Sequence, residues 1–379
     1  MVYVTAPLQV KEQDLFQKQI SLLYGLDMPQ HIECATKLTR TRTYEHEKDS
    51  LVDRMNLKAY FEAVSLLTIR CEHFLAHYKT ATEMYTQFKI PKKSGGLRTI
   101  NAPQEELKVI QRDIVYTLSH LPYTHSPFIH MHDAAFAYIA GRSTLDALKE
   151  HQANGSHWFL KLDIKDFFPS CKERIVMDLI TQVYPICFIP EAELRLILRC
   201  CTLEGSLPQG AVTSPFLTNL LMVALDKKIS DATYNWNKRR VVYTRYADDL
   251  LFSCREEFKW MSMQTVIEDI LKPYGFEIKK AKTRYGSRAG SNWNLGLMLN
   301  KDNDISLGHQ HKQRMRAMLF NFLKDSKSCI RWSIEDVQHL NGLLSYWRHI
   351  EPEYANSLLH KYEEKIGITF DIAMKNTVI

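Results

Sequence analysis

The sequence predicts an α+β protein in which an antiparallel sheet is set between helical ends. Three observations predict it. Val241 to Cys254, VVYTRYADDLLFSC, reads as two β-prone runs joined by a tight turn at Ala247-Asp248-Asp249. Residues 157 to 170, HWFLKLDIKDFFPS, open with a strongly apolar strand, Trp158 to Ile164, that carries an acid, Asp163, near its end. Apolar residues recur at helical spacing from Asp49 to His77, and the chain beyond Leu299 turns basic and helical.

With 379 residues, 45% of them apolar, the chain can bury a sizeable core and is expected to form two or three subdomains. Its net charge of +6 fits a polyanionic partner without requiring one. The 8 cysteines show no CxxC pair and no regular spacing, which argues against a zinc site or a disulfide framework. Reduced thiols in a cytoplasmic protein are expected. The N-terminus lacks a basic stretch followed by an apolar core, and no apolar run approaches the ~20 residues needed to cross a bilayer, so neither secretion nor a membrane partner is expected.

Up to about residue 85 the chain reads as packing helices, with Leu51, Met55, Leu57, Phe61, Val64, Leu67, Ile69 and Phe74 on a helical repeat. Tyr85 to Ile90 then alternates like a strand, Pro91 to Gly96 is a turn rich in Gly and Lys, and Leu97 to Ala102 returns as a second strand. This hairpin carries Lys89, Lys92, Lys93 and Arg98 at or near its tip. Mobile positive charge and bidentate donors there suit a triphosphate; a merely solvated turn is the alternative. A helix follows Pro103, with Leu107, Ile110, Ile114 and Leu118 on one face and Lys108, Gln111 and Arg112 beside them.

His120, His125, His130 and His132 do not read as a metal site, because Pro122 and Pro127 make the backbone irregular and no cysteine or carboxylate accompanies them at ligand spacing. Phe136 to Leu148 reads as a short strand, a turn at Gly141 and a helix. Arg142 and Ser143 stand at that helix's N-terminus, which either receives a phosphate or is simply capped by Ser143 or Thr144. Five residues after Asp163, Phe168 sits in a turn before Pro169 and a helix starting near Lys172; its ring either closes one side of a small pocket or packs in the core. In the next loop Pro208 and Gly210 fix the turn, Gln209 projects from it, and Ser214-Pro215 start an amphipathic helix. Gly210 and Ala211 would let the backbone lie against a flat base or sugar.

A carboxylate inside a buried strand needs a partner, and so do two adjacent acids at the end of buried strands. Bringing Asp163 beside Asp248 and Asp249 in one antiparallel sheet makes a three-carboxylate site. Such a site can bind two Mg²⁺ ions roughly 4 Å apart, one activating an attacking hydroxyl and the other stabilising a leaving pyrophosphate. That is polymerase chemistry.

The ordered segments IPKKSGGLRTINAP, FAYIAGRS, LDIKDFFPS, LPQGAVTSP, YTRYADDLLFS, GFEIKKAKTR and LGLMLN resemble the reverse transcriptases, and among them the bacterial retron and group II intron type, over about residues 85 to 300. The resemblance implies a right-hand polymerase fold: an N-terminal helical extension over 1–84, fingers with part of the palm over 85–156, a palm with the catalytic motifs over 157–300 and a helical thumb over 301–379. It implies Asp163, Asp248 and Asp249 as catalytic metal ligands and Phe168 as a steric gate favouring dNTPs over NTPs. Gln209 and Gly210 would border the incoming nucleotide, Lys93 and Arg98 would hold its phosphates, and Lys282 would lie near the pyrophosphate.

Arg142 and the thumb residues Lys312, Arg314 and Arg316 are expected to face a nucleic-acid backbone. Tyr346 and Trp347 either stack on bases or pack in the core, and His309 and His311 are expected at the surface. A retron setting implies a noncoding RNA that supplies both template and a priming 2′-hydroxyl, dNTPs as substrates, an RNA-linked single-stranded DNA product, and an effector protein in antiphage defence.

Two elements depart from the retron pattern. The usual Asn-Ala-x-x-His element is matched only by Asp146-Ala147, with His151 one residue too far along, and Asn294-Leu295-Gly296 replaces the usual Val-Thr-Gly. Other readings are another defence-associated reverse transcriptase, an RNA-dependent RNA polymerase, for which a small or polar residue is expected in place of Phe168, and a non-catalytic RNA-binding scaffold restraining a toxin effector.

Overall fold

The structure is a computed structural model, and it describes residues 47–78, 81–91, 95–121, 129–288, 293 and 296–377. In chain order the described residues form helix α1 (Glu47–His77), strands β1 (Tyr85–Pro91) and β2 (Leu97–Pro103), helices α2 (Glu105–Ser119) and α3 (Thr144–Ala153), and strand β3 (Trp158–Asp163). Helices α4 (Phe167–Ser170), α5 (Glu173–Ile180), α6 (Glu191–Arg199) and α7 (Ser214–Thr233) follow. Next come strands β4 (Asn235–Trp236), β5 (Arg239–Arg240), β6 (Val242–Tyr246) and β7 (Asp249–Cys254), helix α8 (Trp260–Leu271), and strands β8 (Arg284–Ser287), β9 (Leu297–Leu299) and β10 (Ile305–Leu307). Four helices close the chain: α9 (His309–Lys327), α10 (Ile334–Ile350), α11 (Pro352–Ile366) and α12 (Phe370–Thr377). They fall into two compact units, each discontinuous in sequence.

The first unit contains the described chain up to Tyr138, Ile164–Ala232 and Gln264–Lys279. On α1 the buried face is Tyr60, Val64, Leu67, Cys71 and Phe74, spaced four, three, four and three residues apart. Ile69, expected on this face, is exposed together with Leu66, because a step of five residues from Val64 turns well away from the stripe. The side chains of Leu51 and Met55 lie outside the described residues. The Tyr60 hydroxyl donates to the Leu118 carbonyl at 3.2 Å, tying α1 to α2.

Helix α2 buries the expected Leu107, Ile110, Ile114 and Leu118, and also Gln111, which the sequence placed beside that face. Burial costs Gln111 little, since its amide is satisfied on every side. It donates to the Tyr85 hydroxyl at 2.9 Å and the Cys200 carbonyl at 3.0 Å, and accepts from the Val212 N–H at 3.0 Å. The predicted hairpin forms, with β1 and β2 antiparallel from Tyr85↔Pro103 to Pro91↔Leu97. The strand expected at Phe136 does not form. Tyr138 adopts a left-handed φ of 60°, incompatible with extended backbone, and the neighbouring Ala137 carbonyl accepts from the Asn219 side chain at 2.7 Å.

The second unit contains Ile139–Asp163, Thr233–Met263 and the chain from Lys280 onward. Its centre is a four-stranded antiparallel sheet in the order β6-β7-β3-β8. Phe159 of β3 and Leu251 of β7 enter one apolar core with Leu145 and Leu148 of α3 and with Leu319, Leu340, Leu344 and Trp347 of the C-terminal helices. Phe159 also stacks on Trp293 at 5.3 Å. Each such fully buried side chain contributes roughly 1.5–3 kcal/mol, so the sheet and the C-terminal helices stabilise one another. Caps delimit those helices: the Ser333 hydroxyl accepts from the Asp336 N–H at 3.1 Å, Pro352 opens α11, and Gly367 ends it in a left-handed conformation. The described cysteines are all free thiols, and no described helix is long and apolar enough to cross a membrane.

Candidate active site

The β6–β7 hairpin forms as the sequence predicts, with Tyr246 opposite Asp249 and Ala247-Asp248 as a two-residue turn. Ala247 has φ 55°, a left-handed conformation that costs an L-residue about 1–2 kcal/mol and persists only where the surroundings enforce it. One enforcing contact comes from Arg245, whose fully buried guanidinium donates to the Ala247 carbonyl at 3.3 Å.

Asp163 is the last residue of β3 and stands directly opposite Asp249 in the antiparallel register. The three acids therefore meet at one end of the sheet. Asp163 is only 4% exposed, while Asp248 and Asp249 are half-buried. Two lysines neutralise part of this charge. Lys282, at the end of a short turn of helix before β8, donates to Asp163 Oδ2. Lys161, two residues before Asp163 on the same strand, places its Nζ 2.7 Å from Asp249 Oδ2.

Burial, the charge of Asp249 and, more weakly, that of Asp163 push the Asp248 carboxyl above the ordinary carboxylate range, against its own backbone N–H and Lys282. Burial alone would lower the Lys282 ammonium. The Asp163 hydrogen bond and the three carboxylate charges outweigh it, and the group is raised. Among the described residues no three His, Cys, Asp or Glu side chains already converge as a metal cage. The donor set nonetheless fits Mg²⁺: hard carboxylate oxygens, one of them buried, in excess over the two ammonium groups beside them.

The other expected nucleotide contacts lie in the first unit. Arg98 is exposed on β2, and Lys93 lies outside the described residues. Gln209 and Gly210 dock on the strand that carries Arg98, with the Asn101 N–H donating to the Gln209 carbonyl at 2.7 Å. Gly210 has φ 112°, and a Cβ there would sit 2.8 Å from the Asn101 oxygen, so only glycine permits the approach. Phe167 is buried against Phe276, whereas Phe168 is only half-buried.

At the N-terminus of α3 the structure shows a cap: the Ser143 hydroxyl accepts from the Asp146 N–H and the Asp146 carboxylate accepts from the Ser143 N–H. These N–H groups are already satisfied, and Arg142, just before them, is half-buried. On α9, Lys312, expected to face nucleic acid, has a protein partner. It pairs with Glu351 at 2.6 Å, largely buried, and so compensates a carboxylate that also accepts from the Leu307 N–H. Arg316 donates to the Tyr354 hydroxyl and lies over its ring, while Arg314 is exposed. Trp347 is wholly buried, Tyr346 is exposed, and so are His309 and His311. Of the four histidines, His120, His130 and His132 are described and His125 lies outside the described residues.

Sequence reasoning missed Lys161 and Arg245, for which the available signal was a cation inside an apolar strand. It also missed the role of His151. Wholly buried beneath the sheet, His151 contacts the Ser253 hydroxyl at 2.5 Å and the Thr244 hydroxyl at 2.8 Å, one on each strand of the acidic hairpin. Burial pushes its pKa down to about 3, so the ring is neutral. Of the second departure, Asn294 and Leu295 lie outside the described residues.

An antiparallel sheet that presents paired carboxylates at one end, with helices behind it, defines the palm of a right-handed polymerase. The family model for reverse transcriptase (RNA-dependent DNA polymerase) matches residues 90–313. The chain belongs to that family and is an RNA-directed DNA polymerase. It is 31% identical to the retron Ec83 reverse transcriptase of Escherichia coli, over 74% of this chain and 87% of that one. It is 29% identical to the retron Ec73 reverse transcriptase of the same organism, over 81% and 96%. Among solved structures, apo telomerase from Candida tropicalis is similar at a TM-score of 0.45 and 11% identity, covering 79% of this chain and 62% of that one, a likeness that decides nothing about the reaction.

Proposed function

We propose that the chain is a retron-type enzyme that copies a noncoding RNA into RNA-linked single-stranded DNA by two-metal nucleotidyl transfer. The observation that carries this reading is the direct pairing of Asp163 with Asp249 across β3 and β7, with Asp248 in the adjoining turn. Asp163, Asp248 and Asp249 would hold the Mg²⁺ ions, which when bound supply charge stabilisation to the attacking oxygen and the leaving pyrophosphate. Lys282 would add positive charge beside the pyrophosphate, and Arg98, with Lys93, would hold the triphosphate. Phe168, half-buried beside a packed Phe167, would exclude a ribose 2′-hydroxyl, and the Gln209-Gly210 backbone would border the base or sugar. The hairpin β1–β2 acts as fingers and helices α9 to α12 as a thumb, with Arg314, Arg316 and Arg142 toward the nucleic-acid backbone. The biological setting proposed with this reading is antiphage defence with an effector protein.

The test is to purify the protein from its native host, extract the bound nucleic acid and sequence it before and after RNase treatment. A discrete RNA joined to a short single-stranded DNA, lost in the Asp248→Asn, Asp249→Asn double variant, is the expected result. Heterogeneous DNA without linked RNA would move the chain to another class of defence reverse transcriptase. RNA with no DNA product at saturating dNTPs and Mg²⁺ would leave a scaffold.

A further inference from the structure

We propose that Lys161 is a positioning residue for DNA synthesis, holding Asp249 in orientation and setting how tightly the carboxylate site takes a divalent cation; this rests on the metal-ion reading above. Strand periodicity puts Lys161 and Asp163 on the same face of β3. The register sets Lys161 opposite Leu251 and Asp163 opposite Asp249, so Lys161 is one diagonal step from Asp249, within reach of a long side chain. The contact is made, at 2.7 Å, with the two side chains 18% and 19% exposed. At that burial the pair is not an ordinary solvated surface bridge, and removing one partner exposes the other's charge.

Lys161 and Lys282 differ in how they are held. Lys282 is on a short helical turn with its side chain about half exposed, so its ammonium is placed to move as ligands come and go. Lys161 grows from the middle of the central strand, and its charge is resident. Two effects of opposite sign follow from removing it. The site becomes more negative by one charge, so a divalent cation binds more tightly. Asp249 loses the contact that orients it, so turnover falls. A residue that only supported the fold would weaken both together.

The experiment uses the full chain as wild type and as Lys161→Met, Lys161→Arg and Asp248→Asn. Mn²⁺ binding is followed by electron paramagnetic resonance without nucleic acid, and dTTP incorporation on poly(rA)/oligo(dT) is followed against Mg²⁺ concentration. Lys161→Met is expected to bind Mn²⁺ about tenfold more tightly, the order of magnitude of one partly screened charge, while kcat falls about tenfold. Lys161→Arg is expected to restore both to within about threefold. If Lys161→Met does not fold, Lys161→Gln carries the same expectation. Unchanged or weaker Mn²⁺ binding in the uncharged variant overturns the proposal, as does a failure of Lys161→Arg to restore turnover. Asp248→Asn binding Mn²⁺ as tightly as wild type would instead overturn the metal-ion reading itself.

Discussion

The β6–β7 hairpin buries most of both its strands, whereas β1–β2 leaves all of β1 after Tyr85 exposed. Both are strand–turn–strand signals with charges at or near the turn. The acidic turn has almost no freedom: its strands sit in a four-stranded sheet, Arg245 braces its strained alanine, and Lys161 holds Asp249, one of its two acids. The basic hairpin is a two-stranded ribbon whose described charges, Lys89 and Arg98, stand in solvent. The difference suits what each is proposed to hold. A carboxylate site for metal ions needs donors fixed before the ions arrive, whereas lysine and arginine stems gripping a triphosphate must follow it in and out.

That contrast is easiest to break through stability. Phe252 of β7 is fully buried and stacks on Tyr243 at 4.7 Å, so Phe252→Ala is expected to cost about 3–5 kcal/mol. Phe88, at a comparable place in β1, is exposed, and Phe88→Ala is expected to stay within about 0.5 kcal/mol. Urea denaturation measures both, and equal losses would mean that the two hairpins are not held differently.

Gly210→Ala sharpens the point, because the exposed ribbon is anchored at one place by the 208–211 loop. The added methyl meets the Asn101 carbonyl at a backbone conformation that suits only glycine, and a cost of about 1–3 kcal/mol is expected. Faster hydrogen exchange at the Asn101 amide, which donates to Gln209, would locate the damage at that joint. Exchange unchanged from wild type would show that the loop does not anchor β2.

On the acidic side, the neutral His151 under β6 and β7 makes a pH prediction. Its folded pKa of about 3 lies below the unfolded value of about 6.5, so between these limits the folded state binds fewer protons than the unfolded one. The contribution is therefore complete above pH 6.5 and declines by up to about 1.4 kcal/mol per pH unit as the pH falls toward 3. Denaturation at pH 5.0 and 7.5 should show a smaller loss in His151→Asn than in wild type. Equal losses would mean that His151 is not held neutral.

Most of the palm was legible because its signals are local: alternating apolar residues, a two-residue turn, an acid at the end of an apolar strand. Asp163, Asp248 and Asp249 announced themselves because a buried carboxylate is costly without a partner. Lys161 was not legible as a partner, since which cation meets which acid depends on the register of β3 against β7, a long-range property. The partner of Lys312 was illegible for the same reason: helical spacing sets it on a basic face, but its ion pair is with Glu351, distant in sequence. The missing strand at Phe136 turned on one left-handed residue, Tyr138, and a side-chain donor from α7, neither visible in local propensity.

The smallest expected effect on the fold comes from Arg98, and it is the one that tests what the exposed hairpin is for. Arg98 is exposed opposite Ile90, so Arg98→Ala should change stability by no more than about 0.5 kcal/mol. Any change in activity then reports on substrate. If the guanidinium holds the triphosphate in the ground state, the KM for dTTP rises about tenfold with kcat little altered, and Arg98→Lys recovers part of the loss as a point charge without bidentate geometry. If it acts only as phosphoryl transfer proceeds, kcat falls while KM stays, and Arg98 belongs with the acids as part of the rigid machinery. Neither parameter moving would leave the basic ribbon without a role in nucleotide capture, and the division of labour between a buried acidic hairpin and an exposed basic one would fail.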